Sequence, residues 1–116
     1  MNAQNFVRTE RVSDVLVATL TTTTISEYES GLVIEHVQKE APHTKWNVVM
    51  DFDKVAFLSS PGITMILTLV HEARRGRGKF IICNLNEDIH EIFRMTKVEK
   101  SMAIEKTLED ALKKLG

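Results

Sequence analysis

Two adjacent serines, Ser59 and Ser60, lie where a predicted strand ends and a predicted helix begins. We expect Ser60 to cap that helix through its hydroxyl and Pro61 to be the first helical residue, where its missing N–H costs nothing. Gly62 is expected to leave the helix start uncovered by a side chain. An exposed hydroxyl at a helix N-terminus can also accept a phosphate, whose charge of about −1.5 to −2 the helix amides tolerate. The turn therefore predicts either a cap alone or a phosphorylation site that leaves the fold intact.

Motifs for metal binding and nucleophilic catalysis are incomplete in this chain. The His71-Glu72 pair begins like a zinc-protease helix, but Arg75 stands in the place of the second histidine ligand. The Asp51-x-Asp53 pair fits the polar end of a buried strand better than a cation site. The serine turn lacks the G-x-S-x-G pattern of a nucleophile elbow. The sequence thus predicts a non-enzymatic protein with no catalytic residue, no metal site and no cofactor.

A basic run, RRGRGK, occupies residues 74–79. Ala73 stands where a Walker A loop needs its first glycine, and the run closes a helix instead of opening one, so a phosphate loop is excluded. Its four basic side chains can touch RNA or an acidic partner. A solvated helix end is the commoner role of such a run, because cations complement the helix dipole there.

Composition is that of an ordinary soluble domain. The chain has 116 residues, the size of one hydrophobic core. Its 15 Lys and Arg against 16 Asp and Glu give a net charge of −1, so nothing attracts the whole molecule to nucleic acid or membrane.

Cys83 is the only cysteine in the sequence, which excludes an internal disulfide, and its apolar surroundings predict a small buried residue. No stretch approaches the roughly 18 apolar residues of a membrane span. Met1–Glu10 has no apolar signal-peptide core, and we expect one cytoplasmic domain over residues 1–116.

Short apolar segments follow strand and helix patterns in alternation. The predicted strands cover residues 12–20, 46–52, 79–85 and 101–105, after an extended segment over 6–11. The predicted helices cover residues 26–40, 61–75, 87–95 and 107–115. Ser26 with Glu29 has the spacing of a capping box, and Asn86 and Thr107 are predicted caps of the last two helices. This alternation is typical of an α/β sheet with crossover helices.

The helix predicted over residues 61–75 has the strongest apolar periodicity. The expected stripe is Ile63, Ile66, Leu67, Val70 and Ala73 or Arg74. Met65, Thr68 and Leu69 lie beside that stripe. We favour a place in the core for these three residues over a contact patch, since a wide apolar stripe is typical of a deeply buried helix.

The segment from Asp51 to Ile63 resembles the signature of STAS domains, especially bacterial anti-sigma-factor antagonists. That signature has a buried strand, a short apolar stretch, then Asp-Ser-Ser/Thr-Gly-Leu at a helix start. The closing strand and helices match as well, and the resemblance covers roughly residues 12–115. Ser59 stands where the family has Asp, and Pro61 where it has Ser or Thr. Thr23 or Thr24 replaces an Asp of the first strand-to-helix loop. The resemblance implies a STAS-like domain with a mixed sheet of four or five strands and about four helices.

The resemblance also implies a phosphorylation-controlled switch. Such an antagonist binds an anti-sigma factor that is also a serine kinase, and the sigma factor is freed. Phosphorylation of the serine that matches Ser60 weakens this binding, and a phosphatase restores it. Ser59 is the alternative acceptor. ATP and metal then belong to the partner, and the protein is expected to be a monomer or weak dimer that binds neither nucleic acid nor membrane.

The loop over residues 21–25 should lie near the serine turn, because both follow the carboxyl ends of neighbouring strands, where α/β proteins commonly bind ligands. The predicted partner-binding residues are Thr23, Thr24, Ser59, Ser60, Gly62 and Ile63. Two other functions stay open. One is a constitutive scaffold of a stress-signalling complex, in which Ser60 only caps its helix. The other is an accessory STAS domain of a lipid or small-molecule transport system. An enzyme is the least favoured class, since no base and nucleophile pair is present.

Overall fold

The computed structural model describes residues 6–115, which form seven strands and four α-helices. The strands are β1 (Val7–Val12), β2 (Val15–Leu20), β3 (Thr24–Ile25), β4 (Val48–Asp51), β5 (Phe57–Leu58), β6 (Phe80–Cys83) and β7 (Ala103–Glu105). The helices are α1 (Glu27–Glu40), α2 (Ser60–Arg75), α3 (Glu87–Met95) and α4 (Leu108–Leu115). Short 3-10 turns cover Ala41–Thr44 and Val98–Ser101. Within these residues, no helix is long and apolar enough to cross a membrane.

The main sheet has five strands in the order β1-β2-β4-β6-β7. Strands β1 and β2 are antiparallel and meet at a two-residue turn whose first residue, Ser13, has a left-handed φ of 56°. The other neighbours are parallel, because a helix carries the chain back between successive strands. The predicted α/β class, with a mixed sheet of four or five strands and about four helices, is confirmed: the main sheet has five strands, and residues 6–115 form four α-helices.

Alternate residues of the central strands face two separate cores. Val48, Met50 and Ile82 join the larger core, which also receives the buried sides of α1, α2 and α3. Val49 and Ile81 join a smaller core closed by α4. Because both faces are covered, β4 and β6 are apolar at nearly every position, as the uninterrupted runs in the sequence indicated.

Three predicted caps lie where expected. Ser26 and Glu29 form a capping box in which the Ser26 N–H donates to the Glu29 carboxylate at 2.9 Å. Asn86 Oδ1 accepts the Ile89 N–H at 2.8 Å, and Thr107 Oγ1 accepts the Asp110 N–H at 3.0 Å. Charged side chains follow the same pattern: acidic residues occupy the first turns of α1, α3 and α4, and basic residues the last turns of all four helices.

The buried side of α2 differs from the predicted stripe. Its buried residues are Gly62, Met65, Ile66, Leu69, Val70 and Ala73. Met65 and Leu69 are core residues, as favoured, but Leu67 is 37% exposed, so its place in the stripe was wrong. Helix α2 packs against the sheet and also against α1, and these two contacts turn its buried side away from Leu67.

Candidate functional site

A small parallel sheet brings the two polar loops together at the carboxyl ends of the main strands. Strand β3 pairs with β5, with Thr24 opposite Phe57 and Ile25 opposite Leu58. The Thr23 carbonyl accepts the N–H groups of Ala56 at 2.8 Å and Phe57 at 3.0 Å. The loop over residues 21–25 therefore lies beside the serine turn, as the sequence predicted.

Ser59, not Ser60, occupies the N-cap position of α2. Its hydroxyl and its N–H both donate to the Ile25 carbonyl, at 2.8 Å and 3.1 Å. These bonds keep Ser59 in extended backbone at the end of β5 and draw its hydroxyl away from the helix amides. Ser60 is thus the first helical residue and Pro61 the second, so the predicted cap was one residue late. The cause is a contact with a residue 34 positions away, which the local sequence does not reveal.

The Ser60 hydroxyl is exposed. It makes no hydrogen bond to any other residue in the described part of the chain. Helical hydrogen bonding starts next to it, since the Ile63 N–H donates to the Ser59 carbonyl at 3.1 Å. An anion attached to Ser60 would lie in the first turn of α2, where the helix dipole favours negative charge. This hydroxyl is therefore accessible for modification without loss of an existing bond.

The other predicted site residues divide between the surface and the packing beneath it. Thr23 and Thr24 are exposed, and Ile63 is half-buried. Gly62 is buried, which corrects the expectation that it opens the helix start to solvent. A Cβ atom at Gly62 would lie 2.4 Å from Leu58 Cδ1, so this glycine lets the helix approach β5 closely.

Phe57 is a surface residue that sequence reasoning missed. Its side chain is 58% exposed, while the next residue, Leu58, is buried. The two residues form β5 and point to opposite sides, as residues of a strand do. The apolar run VAFL gave no alternation from which the outward position could be identified. An exposed ring beside Thr24 adds apolar area to the predicted partner-binding surface.

Polar residues at the carboxyl ends of the strands form hydrogen bonds to the segment between β4 and β5, which leads to the serine turn. Asp51, only 8% exposed, accepts the Asp53 N–H and the Asn84 side-chain amide, both at 2.9 Å. Asn86 caps α3 and also donates its side-chain amide to the carbonyls of Val55 at 3.2 Å and Ala56 at 3.3 Å. The Asp51-x-Asp53 pair is therefore part of a structural hydrogen-bond network.

Two further candidates at this end are a metal-ligating cluster and the Cys83 thiol. Over residues 6–115, no group of three or more His, Cys, Asp or Glu side chains is arranged to hold a metal ion. Cys83 is fully buried. Burial raises the pKa of its thiol to about 12, and the nearby carboxylates of Asp51 and Asp53 add to the shift. The thiol therefore stays protonated at neutral pH and is a poor nucleophile.

Comparison with known proteins assigns the chain to one family, over a range that includes the serine turn. The family model described as STAS domain matches residues 7–111. This match covers most of the chain, and the protein belongs to the STAS domain family.

Several solved structures share the fold at low sequence identity. An anti-sigma-factor antagonist (STAS) domain protein of Planctomyces limnophilus has a TM-score of 0.83 at 16% identity, over 100% of this chain and 99% of that one. An anti-sigma factor antagonist of Mycobacterium paratuberculosis has 0.81 at 19%, over 99% and 98%. The Bacillus cell fate determinant SpoIIAA in its phosphorylated form has 0.66 at 16%, over 95% and 99%. These similarities establish the fold.

Proposed function

We propose that this protein is an anti-sigma-factor antagonist that binds an anti-sigma factor with serine kinase activity and so frees a sigma factor. Ser60 accepts phosphate from that kinase, and a phosphatase removes it. The observation that carries the proposal is the Ser60 hydroxyl, exposed and without a hydrogen bond within residues 6–115, in the first turn of α2 of a STAS domain. Membership of the family and its antagonist structural neighbours support the class of function.

The geometry favours Ser60 over Ser59 as the acceptor. The Ser59 hydroxyl is half-buried and donates to the Ile25 carbonyl at 2.8 Å, so transfer of a phosphate to it would break that bond. The Ile25 carbonyl would keep only the Ser59 N–H as a donor, and the lost hydrogen bond is worth about 0.5–1.5 kcal/mol. Phosphorylation of Ser60 breaks no hydrogen bond among the described residues, and the helix N-terminus stabilises the added charge.

A phosphate on Ser60 would change the charge of the predicted partner-binding surface more than it would change the fold. Thr23, Thr24, Phe57 and Ser60 are exposed and uncharged. A partner that covers them removes hydroxyls and an aromatic ring from water at modest cost. A phosphate of about −1.5 to −2 charges is far costlier to desolvate unless the partner supplies cations. Phosphorylation is therefore expected to oppose binding while folding is preserved.

The test uses the anti-sigma factor kinases of the source organism, each incubated with this protein and Mg-ATP. Intact mass and peptide mapping should locate one phosphate on Ser60. Ser60→Ala should abolish it, and Ser59→Ala, the matched control one residue away, should retain it. Calorimetry should show that Ser60→Asp weakens kinase binding by about tenfold or more, which is about 1.4 kcal/mol.

Other outcomes separate the remaining functions. Phosphate on Ser59 alone would move the acceptor by one residue and contradict the geometric argument. Tight binding with no phosphorylation, unchanged in Ser60→Asp, would favour the constitutive scaffold. Absence of binding to every such kinase would overturn the antagonist function and direct attention to the transport-associated STAS domains. Phosphopeptide mapping of the protein from native cells, with and without stress, checks the site independently.

A further inference from the structure

The end of the sheet opposite the serine turn contains an open cleft of about 490 Å³. It lies at the amino ends of β6 and β7, beside the last turns of α2 and α4. Apolar side chains form part of its wall, namely those of Val70, Ala73, Phe80 and Met102. Small-molecule sites are typically clefts of about 300–1,000 Å³ with a largely apolar lining and a few polar groups. The cleft therefore has the size of a small-molecule site, and its wall combines apolar with charged residues.

Four basic residues from four separate segments line this cleft. They are Arg74 of α2, Lys79 before β6, Lys100 of the second 3-10 turn and Lys114 of α4. Glu105 is the acidic residue among the described residues that line it. The basic run that the sequence analysis assigned to a solvated helix end thus supplies two of the four cations, and the fold adds the others.

None of these four cations forms an ion pair with a described residue, although the cations next to two of them in the sequence do. Arg75, next to Arg74, lies 4.0 Å from a Glu72 carboxylate oxygen. Lys113, next to Lys114, lies 3.4 Å from a Glu109 carboxylate oxygen. Among the described residues that line the cleft, the four cations outnumber the single carboxylate, that of Glu105, and an anion would offset this excess of positive charge.

The Arg74 guanidinium is already held at the rim of the cleft. Its Nη2 donates to the Ser101 carbonyl at 2.8 Å, which ties the end of α2 to the 3-10 turn that carries Lys100. A guanidinium has five N–H donors, so several stay available for a phosphate, which arginine recognises in bidentate geometry. Because the Arg74 side chain is already held in place, ligand binding loses less conformational entropy at this residue.

We propose that this cleft binds a small organic phosphate. Arg74, Lys79, Lys100 and Lys114 hold the phosphate, and the ligand's apolar body packs against Phe80 and the other apolar wall residues. The site is independent of the switch at Ser60, since it lies at the other end of the strands.

The test is a titration of the full chain, labelled with nitrogen-15, with naphthyl phosphate and with inorganic phosphate at constant ionic strength. Naphthyl phosphate should cause saturable amide shifts in residues 74–80 and 100–105, and it should bind more tightly than inorganic phosphate. Lys114→Ala and Lys100→Ala should each weaken binding by about threefold, as expected for one exposed charge contact.

Lys113→Ala and Arg75→Ala are the matched controls, because each removes the same charge one residue away from a lining cation. Both should leave the affinity for naphthyl phosphate unchanged. Equal losses in Lys113→Ala and Lys114→Ala would show a general attraction of anions and overturn the site. Equal affinities for the two phosphates would overturn the organic ligand. Absence of saturation, or tighter binding of a single-stranded RNA oligomer that Arg75→Ala also weakens, would overturn the proposal as well.

Discussion

The two ends of the sheet differ in whether their polar and charged side chains have partners within the protein. At the carboxyl ends, the side chains of Asp51, Asn86 and Ser59 all form hydrogen bonds to backbone groups, and the exposed Ser60 hydroxyl has none within the described residues. At the amino ends, four cations share a cleft without an ion pair among residues 6–115. The first end fixes the backbone around the exposed Ser60 hydroxyl by hydrogen bonds. The second end has charged groups that no ion pair among the described residues neutralises.

The largest expected difference between the ends concerns two glycines. A Cβ atom at Gly78, beside the cleft, would lie 2.1 Å from the Trp46 carbonyl oxygen, which is backbone that cannot move cheaply. At Gly62 the close atom is the end of the Leu58 side chain. Gly78→Ala should lower the free energy of unfolding by about 3 kcal/mol and Gly62→Ala by about 1–2 kcal/mol, as measured by urea denaturation.

Gly31, in α1, provides the control for these two substitutions. A Cβ atom there would have no heavy atom within 4 Å, so Gly31→Ala should stabilise the protein by about 0.5–1 kcal/mol through helix propensity. A larger loss for Gly62→Ala than for Gly78→Ala would reverse the ranking and show that the serine end is the more rigid one.

The second prediction concerns Asn86, which connects a helix cap to the serine-turn segment. Asn86→Ala removes the cap of α3 and the two bonds to the Val55 and Ala56 carbonyls, so it should cost about 2 kcal/mol. Hydrogen exchange should also accelerate at residues 55–58. Thr107→Ala removes a cap alone and should cost about 1 kcal/mol. Unchanged exchange at residues 55–58 in Asn86→Ala would show that β3 holds the segment unaided.

The third prediction separates the two serines by stability alone. Ser59→Ala removes the bond from its hydroxyl to the Ile25 carbonyl and should cost about 1 kcal/mol. Ser60→Ala removes a hydroxyl that bonds to no described residue and should change stability by less than about 0.5 kcal/mol. Ser60→Asp should be neutral or slightly stabilising, because a negative charge suits a helix N-terminus. Thermal unfolding of the three variants checks this ranking, and a greater loss in Ser60→Ala would contradict it.

The smallest effect is a pH dependence at the start of α1. Hydrogen bonds from the Ser26 hydroxyl and N–H hold the pKa of the Glu29 carboxyl below its usual value. A carboxyl whose pKa is lower in the folded state contributes stability above its unfolded pKa of about 4.3, and this contribution is lost as pH falls through the folded pKa.

Glu29→Gln should therefore be less stable than the natural protein at neutral pH, and the two should converge under acid conditions. Urea denaturation at a series of pH values measures the difference. Glu27→Gln removes a charge from the same turn and controls for the general effect of charge on α1. A difference that stays constant with pH would show that the Ser26–Glu29 bonds do not depend on ionisation.

Features that depend on neighbouring residues could be predicted from the sequence. The capping box of Ser26 and Glu29 and the cap at Asn86 lie where expected, because the groups that bond are three residues apart. The alternation of strands and helices likewise followed from apolar periodicity, and the order of the main elements was correct.

Features that depend on distant residues could not be predicted. Ser59 rather than Ser60 occupies the N-cap position of α2 because the Ile25 carbonyl accepts the Ser59 hydroxyl, and Phe57 faces outward because β5 pairs with β3. The basic cleft was visible only as the run over residues 74–79, since Lys100 and Lys114 reach it through the fold. Loops and clefts of this kind are formed by several segments of the chain, and a local sequence pattern does not indicate which segments come into contact.

The regular placement of charge along the helices has a consequence for how the molecule meets others. Every α-helix follows a strand and begins at the carboxyl end of the sheet, so the acidic first turns of α1, α3 and α4 lie at one end and the basic last turns of all four helices at the other. The net charge of −1 hides this separation. Charges separated in this way turn a molecule in the field of an approaching macromolecule before contact, over distances of about 8–10 Å at ordinary salt. From the helix ends alone, we expect a cationic surface to approach the end with the serine turn and an anionic surface to approach the end with the cleft.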